Sequence, residues 1–493
     1  MSATARTYRF APLDRGTWLL GLGGAQCLLL AAGVLGAGAL LRAAAPLPLV
    51  AVPIVVALAA SFAPVGGEPV HAWLAVAAGF LRGRPDRPWL ASIPLFVRGD
   101  DLHAAVPRSF GDLELVELER PRWAGRGIGG VAAIRDRRAA TLTGVLRVAG
   151  SGFALSSADD QERMLAGWGD VLAAFCAERA QVARLTATER TAPADLRGAR
   201  TWLDAHRAPA AAAEAAAAYD ALLDTVDQNA TTHEVLLSLT VEARRVRRRG
   251  PDRDALLADA LLEELGQLTD RLDGALLAAT PLNPTELAAA IRTRVDPISA
   301  ERLSVRAKSL VDAPGLAAPS PWPLAVRTAW DHVQADGAEH RGWWVAEWPR
   351  LDVGAAWLDP LLSASGLTRT VVLYFEPVAP STSRRRIERD ATRLAADAEQ
   401  RAQRGFRIGA RHRRATEAVA EREAELVAGY AEVGLVGLVV VTATDSEALA
   451  AAGAKAEQAG AVAGLDLRAL DGRHDLALAA SLPLGRPIGS VRL

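Results

Sequence analysis

Two long uncharged runs near the start of the chain constrain everything that follows. Trp18 to Leu41 carries no charge over 24 residues, and Leu47 to Val65 carries none over 19. As a helix the first run reaches about 36 Å, enough for a hydrocarbon core of about 30 Å. Arg42 and Pro46 separate the runs, and so short a link forces them antiparallel. The expectation is a two-helix transmembrane hairpin. A secretory signal would have an apolar region of about 7–15 residues and a cleavage site, not a second span. Glycines at 21, 23, 24, 33, 36 and 38 permit close helix packing.

Basic residues set the orientation. Arg6, Arg9 and Arg15 precede the first run, Arg82, Arg84 and Arg87 follow the second, and only Arg42 lies between. The positive-inside rule puts both ends in the cytoplasm, with the hairpin in the plasma membrane. The stretch 70-VHAWLAVAAGFL-81 is too short to span. It either lies in the interface, with Trp73 at headgroup level, or packs against the body.

From about residue 90 the pattern becomes mixed. The expected fold class is α+β: the hairpin, then a mixed α/β cytoplasmic body with ferredoxin-like layered units. The domain reading is residues 1–90 as hairpin plus interfacial segment, 91–311 as a first α+β domain, 312–323 as a Pro-rich linker and 324–493 as a second α+β domain. Strands are expected at 113–118, 131–136, 140–150, 181–190, 234–243, 343–351, 369–378, 434–443 and 464–470. Helices are expected at 208–222, 251–272, 285–294 and 445–462, with a long charged helix or helix pair over 381–428 broken near Gly405 and Gly409.

Two glycine-bearing stretches resemble nucleotide loops and fail on inspection. Residues 125-GRGIGG-130 have dinucleotide-loop spacing, but no apolar strand leads in and no clear helix leads out. Residues 146-LRVAGSGFALSSADDQERMLAGWGDVLAAF-175 run strand, turn, helix. Ser156 or Ser157 caps that helix, but Asp159, Asp160 and Glu162 in its first turn repel a phosphate. The stripe Met164, Leu165, Trp168, Val171, Leu172, Phe175 reads as a face packed on a sheet.

Catalytic signals are missing. No two of the eight histidines are three or four apart, and two cysteines, Cys27 and Cys176, cannot build a structural zinc site. His412, among Arg411, Arg413 and Arg414, reads as a surface residue. Asp445 and His474 could meet in the fold, but nothing marks them. Only two of the 56 basic residues are lysines, Lys308 and Lys455, and neither sits in a phosphate-binding loop. The reading assigns no catalytic, cofactor-binding or metal residues, no cofactor, and no enzyme activity. The net charge of −1 gives no global field for nucleic acid. The basic run 244-RRVRRRG-250 reads first as a solvated or membrane-surface face; with the cluster 384–386 it is what a DNA-contacting alternative would use.

The stretch 8-YRFAPLDRGTWLLGL-22 and the hairpin after it resemble the small PrgI-like membrane component of conjugation machines. The segments 141–172, 343-WWVAEWPRL-351 and 405–443 resemble the amino-terminal, non-ATPase region of TraC/TrbE-type secretion ATPases. The whole chain is similar to an actinobacterial family of conjugative, type IV secretion-like clusters in which these parts are fused and the motor is a separate protein. The chain ends at Leu493, where the motor domain would begin. The resemblance implies a non-catalytic inner-membrane component that docks a separate P-loop ATPase, contacts membrane lipid and other inner-membrane secretion components, and is oligomeric in the complex. The alternatives are a membrane-tethered protein contacting transferred DNA through its Arg clusters, or an enzyme of unrecognised type.

Overall fold

The computed structural model describes residues 10, 23–83, 89–90, 110–111, 113–125, 129–150, 152–194, 196–207, 213–247, 250–297, 321–403, 405, 407 and 409–487. It is a mixed α+β protein built on one large sheet. Parts of several sequence readings lie outside the described residues: 1–9, 18–22, Arg84 and Arg87, His103, 126–128, 208–212, Arg248 and Arg249, Lys308 and 312–320.

Helix α1 is Gly24–Arg42 and helix α2 is Leu47–Phe62. They lie antiparallel: Gly33 and Gly36 of α1 abut Pro53 of α2, and Gln26 Nε2 donates to the Ser61 carbonyl at 2.9 Å. The helix α2 stops before the uncharged run does. Pro64–Val65 (β1) pairs with Glu68–Pro69 (β2) around Gly66 and Gly67, whose positive φ angles turn the chain back. Sixteen residues of α2 reach only about 24 Å, so among the described helices α1 alone is long and apolar enough to cross a membrane. Helix α3, Val70–Gly83, packs on the body: Trp73 and Phe80 meet Trp330 with ring centroids 6.0 and 5.2 Å apart.

The large sheet contains β3 (Trp89–Leu90), β4 (Leu113–Leu118), β5 (Val131–Asp136), β6 (Thr141–Gly150), β7 (Val182–Pro193), β8 (Thr231–Glu242), β9 (Leu277–Pro281), β10 (Ala325–Thr328), β11 (Val333–Ala335), β12 (Ala338–Glu347), β13 (Thr368–Pro377), β14 (Val433–Ala443) and β15 (Asp466–Ala469). Its order is β3-β10-β11-β12-β14-β13-β7-β8-β6-β5-β4, with β9 added beside β6 and β15 beside β12. Strands from both sides of the Pro-rich stretch share this one sheet. The strand expected at 343–351 starts earlier and ends at Glu347; Pro349 beyond it has no N–H for the ladder.

Two groups of strands repeat one plan. One lies in the order β9-β6-β8-β7, the other in the order β15-β12-β14-β13. In each, a helix links the first strand to the second, a helical pair links the second to the third, and a helix links the third to the fourth. The first set is Ala158–Ala174, then Arg197–His206 with Ala213–Asn229, then Arg253–Gly274. The second is the short Asp359–Leu362, then Pro380–Gln403 with Ala410–Val427, then Ser446–Val462. The groups join through their second strands, β7 against β13, from Leu185 opposite Phe375 to Thr191 opposite Arg369.

Both faces of the first group are buried, so its strands read as near-continuous apolar runs. Leu142, Leu146, Leu237, Leu239 and Val241 face Leu261, Leu265 and Leu268 of Arg253–Gly274. Ile134, Val145 and Leu236 face the other way, onto Leu287 and Ile291 of Pro284–Val295 and Leu478 of the helix His474–Ser481. The helix after Gly152 is the packing unit its stripe implies: Ser157 caps it, and Trp168 packs edge-on against Phe375 at 5.5 Å.

Candidate functional site

The strand register brings five strand ends to one rim of the sheet. Glu242 at the end of β8 lies opposite Thr141, Val241 opposite Val182, and Pro377 at the end of β13 opposite Val433. Here the two strand groups meet, and the helix Pro380–Gln403 departs.

This rim holds an open cleft of about 710 Å³, lined by Arg179, Arg184, Arg244, Arg245, Arg247 and Arg386 together with Glu178, Glu242 and Glu376. The two basic runs singled out in the sequence thus converge in space, joined by two arginines that no run marked. A second cleft of about 550 Å³ shares Arg244 and Arg247 and adds Arg253, so the two form one groove.

The carboxylates are engaged. Glu242 accepts ion pairs from Arg244 at 2.5 Å and Arg245 at 3.5 Å, and Glu376 pairs with Arg184 at 2.9 Å. Arg245 Nη1 also donates to the Val182 carbonyl at 2.8 Å, which fixes its stem. Glu178 accepts from the Ser381 backbone N–H and hydroxyl. Those bonds, with Arg384 and Arg385 nearby, hold its carboxyl below the usual range. Arg179 and Arg247 are exposed and have no ion pair among the described residues. Beneath the rim, burial pushes the Cys176 thiol up, which disfavours a reactive thiolate.

The opposite rim carries an ionic network around the buried Arg294. Arg294 Nη1 donates to Glu234 Oε2 at 2.9 Å, and Arg147 reaches the other oxygen at 3.2 Å. Burial, reinforced by Arg294, lowers the Arg190 guanidinium to about 10. Nearby, Thr231 Oγ1, His233 and Glu189 lie in the order hydroxyl, imidazole, carboxylate, with Nε2 to Thr231 at 3.1 Å and Nδ1 to Glu189 at 2.8 Å. This set is a cross-strand ladder on one face of β7 and β8. Thr191, directly opposite His233, also reaches Nδ1 at 3.2 Å and Glu189, and neither cleft of the groove opens onto it.

Asp445 caps the helix Ser446–Val462 by accepting from the Ala448 N–H. His474 sits elsewhere, accepting from the Gly342 N–H at 3.1 Å. Among the described residues, no three His, Cys, Asp or Glu side chains are placed to hold a metal ion. Comparison with protein-family models and with curated proteins finds no match.

A second surface is the helix pair. Leu28, Leu35 and Leu47 are each more than 70% exposed, and the outward faces of α1 and α2 are apolar up to the exposed Arg42 at the end of α1. The body beside them is tied on through Arg468, which donates to the Gly67 carbonyl at 3.1 Å and pairs with Glu68 and Asp466.

Proposed function

We propose that this chain is a membrane-anchored, non-catalytic docking component of a type IV secretion-like or conjugation machine. It would hold a separate P-loop ATPase at the cytoplasmic face of the inner membrane, as one subunit of an oligomeric complex. The observation that carries the anchor is α1: a 19-residue helix, apolar except for Gln26 and Arg42, whose outward side chains are exposed, joined to a body rich in surface charge. Exposed apolar surface on this scale is costly in water and favourable in lipid. In this reading α2 enters the bilayer beside α1, its shortness met by local thinning of the bilayer, and both termini face the cytoplasm. The Arg residues flanking the hairpin support that orientation.

Each four-strand group is read as a ferredoxin-like unit. The strand order, fourth-first-third-second, supports this. The paired helices Pro380–Gln403 and Ala410–Val427 leave the second unit as a largely exposed, charged arm, the surface offered to the ATPase.

The test is purification of tagged full-length chain from native membranes in mild detergent. The expected result is recovery from the membrane fraction with a co-eluting P-loop protein that accounts for all ATP hydrolysis. Recovery from the soluble fraction, or as a single species without partner, overturns the reading.

A further inference from the structure

We infer that the arginine groove binds the phosphodiester backbone of a nucleic-acid strand without reading its bases. The inference does not depend on α1 and α2 entering a membrane or on a partner ATPase.

Charge is the first argument. The whole chain is nearly neutral at −1, yet the main cleft sets six arginines against three glutamates. Those glutamates are already engaged by arginines or by Ser381, and Arg386 pairs with Glu432 at 3.5 Å. The excess therefore rests on Arg179 and Arg247, which have no ion pair among the described residues; Arg384 and Arg385 add to the field at Glu178. The excess is local, built by bringing separate segments to one rim. Guanidinium groups match phosphate oxygens with paired, charge-assisted hydrogen bonds.

Shape selects the class of anion. The groove is open and continues through two adjoining clefts by way of Arg244 and Arg247. A single small anion would use one enclosed set of donors. A linear polyanion uses a row. A flat lipid surface does not enter a concavity between strand ends and a helix base.

The lining excludes base reading. Among the described residues, Phe175 is the one aromatic side chain that lines the clefts, and it is buried. No exposed ring among the described residues there can stack a base, and stacking is how single strands are gripped through their bases. Acidic protein segments dock with apolar anchors in deep pockets, whereas alanine and proline supply most of the apolar lining of the main cleft. Backbone phosphates need only the cations.

The experiment is fluorescence anisotropy on full-length protein in detergent, with two labelled 30-nucleotide single strands of unrelated sequence, titrated over salt. Binding of both strands with similar affinity is expected, falling steeply as salt rises. Arg247→Gln with Arg386→Gln should weaken both strands severalfold and reduce the salt slope by about 0.7 for each phosphate no longer neutralised. Arg163→Gln, an exposed change on the helix Ala158–Ala174, should leave binding unchanged. An unaltered melting temperature shows that the variants are folded. The inference is overturned if the groove variants bind like the Arg163 variant. It is also overturned if a poly-glutamate peptide of equal charge displaces the strand at equal concentration, or if only phosphatidylglycerol vesicles bind. The first of these two outcomes would assign the groove to an acidic protein segment, the second to lipid.

Discussion

Gly33 of α1 lies so close to Ala57 of α2 that a Cβ on Gly33 would stand 2.6 Å from the Ala57 Cβ and 2.9 Å from the Pro53 carbonyl oxygen. Only glycine fits this crossing. Gly33→Leu should force the helices apart at a cost of about 1–3 kcal/mol. In a Cys27→Ser background, Gln26→Cys with Ser61→Cys should cross-link readily on oxidation. Adding Gly33→Leu should abolish most of that cross-link. An undiminished cross-link would mean the helices do not meet here.

Glu234 compensates a cation that water cannot reach. The Arg294 side chain is 1% exposed, and two of its nitrogens have no hydrogen-bond partner among the described residues. Glu234→Gln should therefore destabilise the fold by about 3–5 kcal/mol, the cost of a buried charge left unpaired. Adding Arg294→Met should recover much of the loss. Urea midpoints of the two variants decide it: if the single substitution costs no more than the double, the pair is not a buried ion pair. Burial alone would raise the Glu234 carboxyl, but Arg294 and Arg147 hold it below its usual value. The folded pKa is depressed, so this contribution is complete above the unfolded carboxylate range and is lost as pH falls through the lowered value.

His340 makes the protein acid-sensitive at a higher pH. It is buried, with Nε2–H donating to the Val295 carbonyl at 2.9 Å and Nδ1 accepting from the Thr442 hydroxyl at 2.9 Å. Burial lowers its pKa to about 4. Between about 6.5 and 4 the unfolded chain therefore binds the proton and the folded chain does not. Stability should fall as pH drops across that window, by about 3 kcal/mol at most from this group. Denaturation at about pH 7, 5.5 and 4.5 should show the loss, and His340→Gln should flatten it. An equal slope in the variant would place the sensitivity elsewhere, His474 being the next group lowered by burial.

Gly342 gives the helix His474–Ser481 its seat. A Cβ there would lie 2.4 Å from the Ala477 Cβ. Gly342→Ala should cost about 1–3 kcal/mol by overpacking, and Ala477→Gly should restore part of it. The coupling energy of the double-mutant cycle measures this packing. Simple additivity would argue against it.

Much of the fold was legible in local pattern. The apolar runs at 369–378 and 434–443 became β13 and β14 nearly to the residue. Asp445 caps the helix expected over 445–462, and the 381–428 helix breaks where Gly405 and Gly409 stand. The length of the second uncharged run misled, because hydropathy does not register the turn that Gly66 and Gly67 make. The short strands β10, β11 and β9 were missed: three to five residues carry too little periodicity to be told from loop.

The sequence by itself determined the local elements: an apolar helix pair at the start, a series of half-buried and fully buried strands, and capped helices between them. Each follows from side-chain period and backbone stereochemistry within a few residues. Tertiary structure alone decided that two strand groups repeat one order, that they join through β7 and β13, and that Arg179, Arg184, Arg244 and Arg386 share one groove. Those outcomes rest on pairing between distant segments, where register and face-to-face packing select the partner. The position of an arginine along the chain says nothing about the rim it will reach.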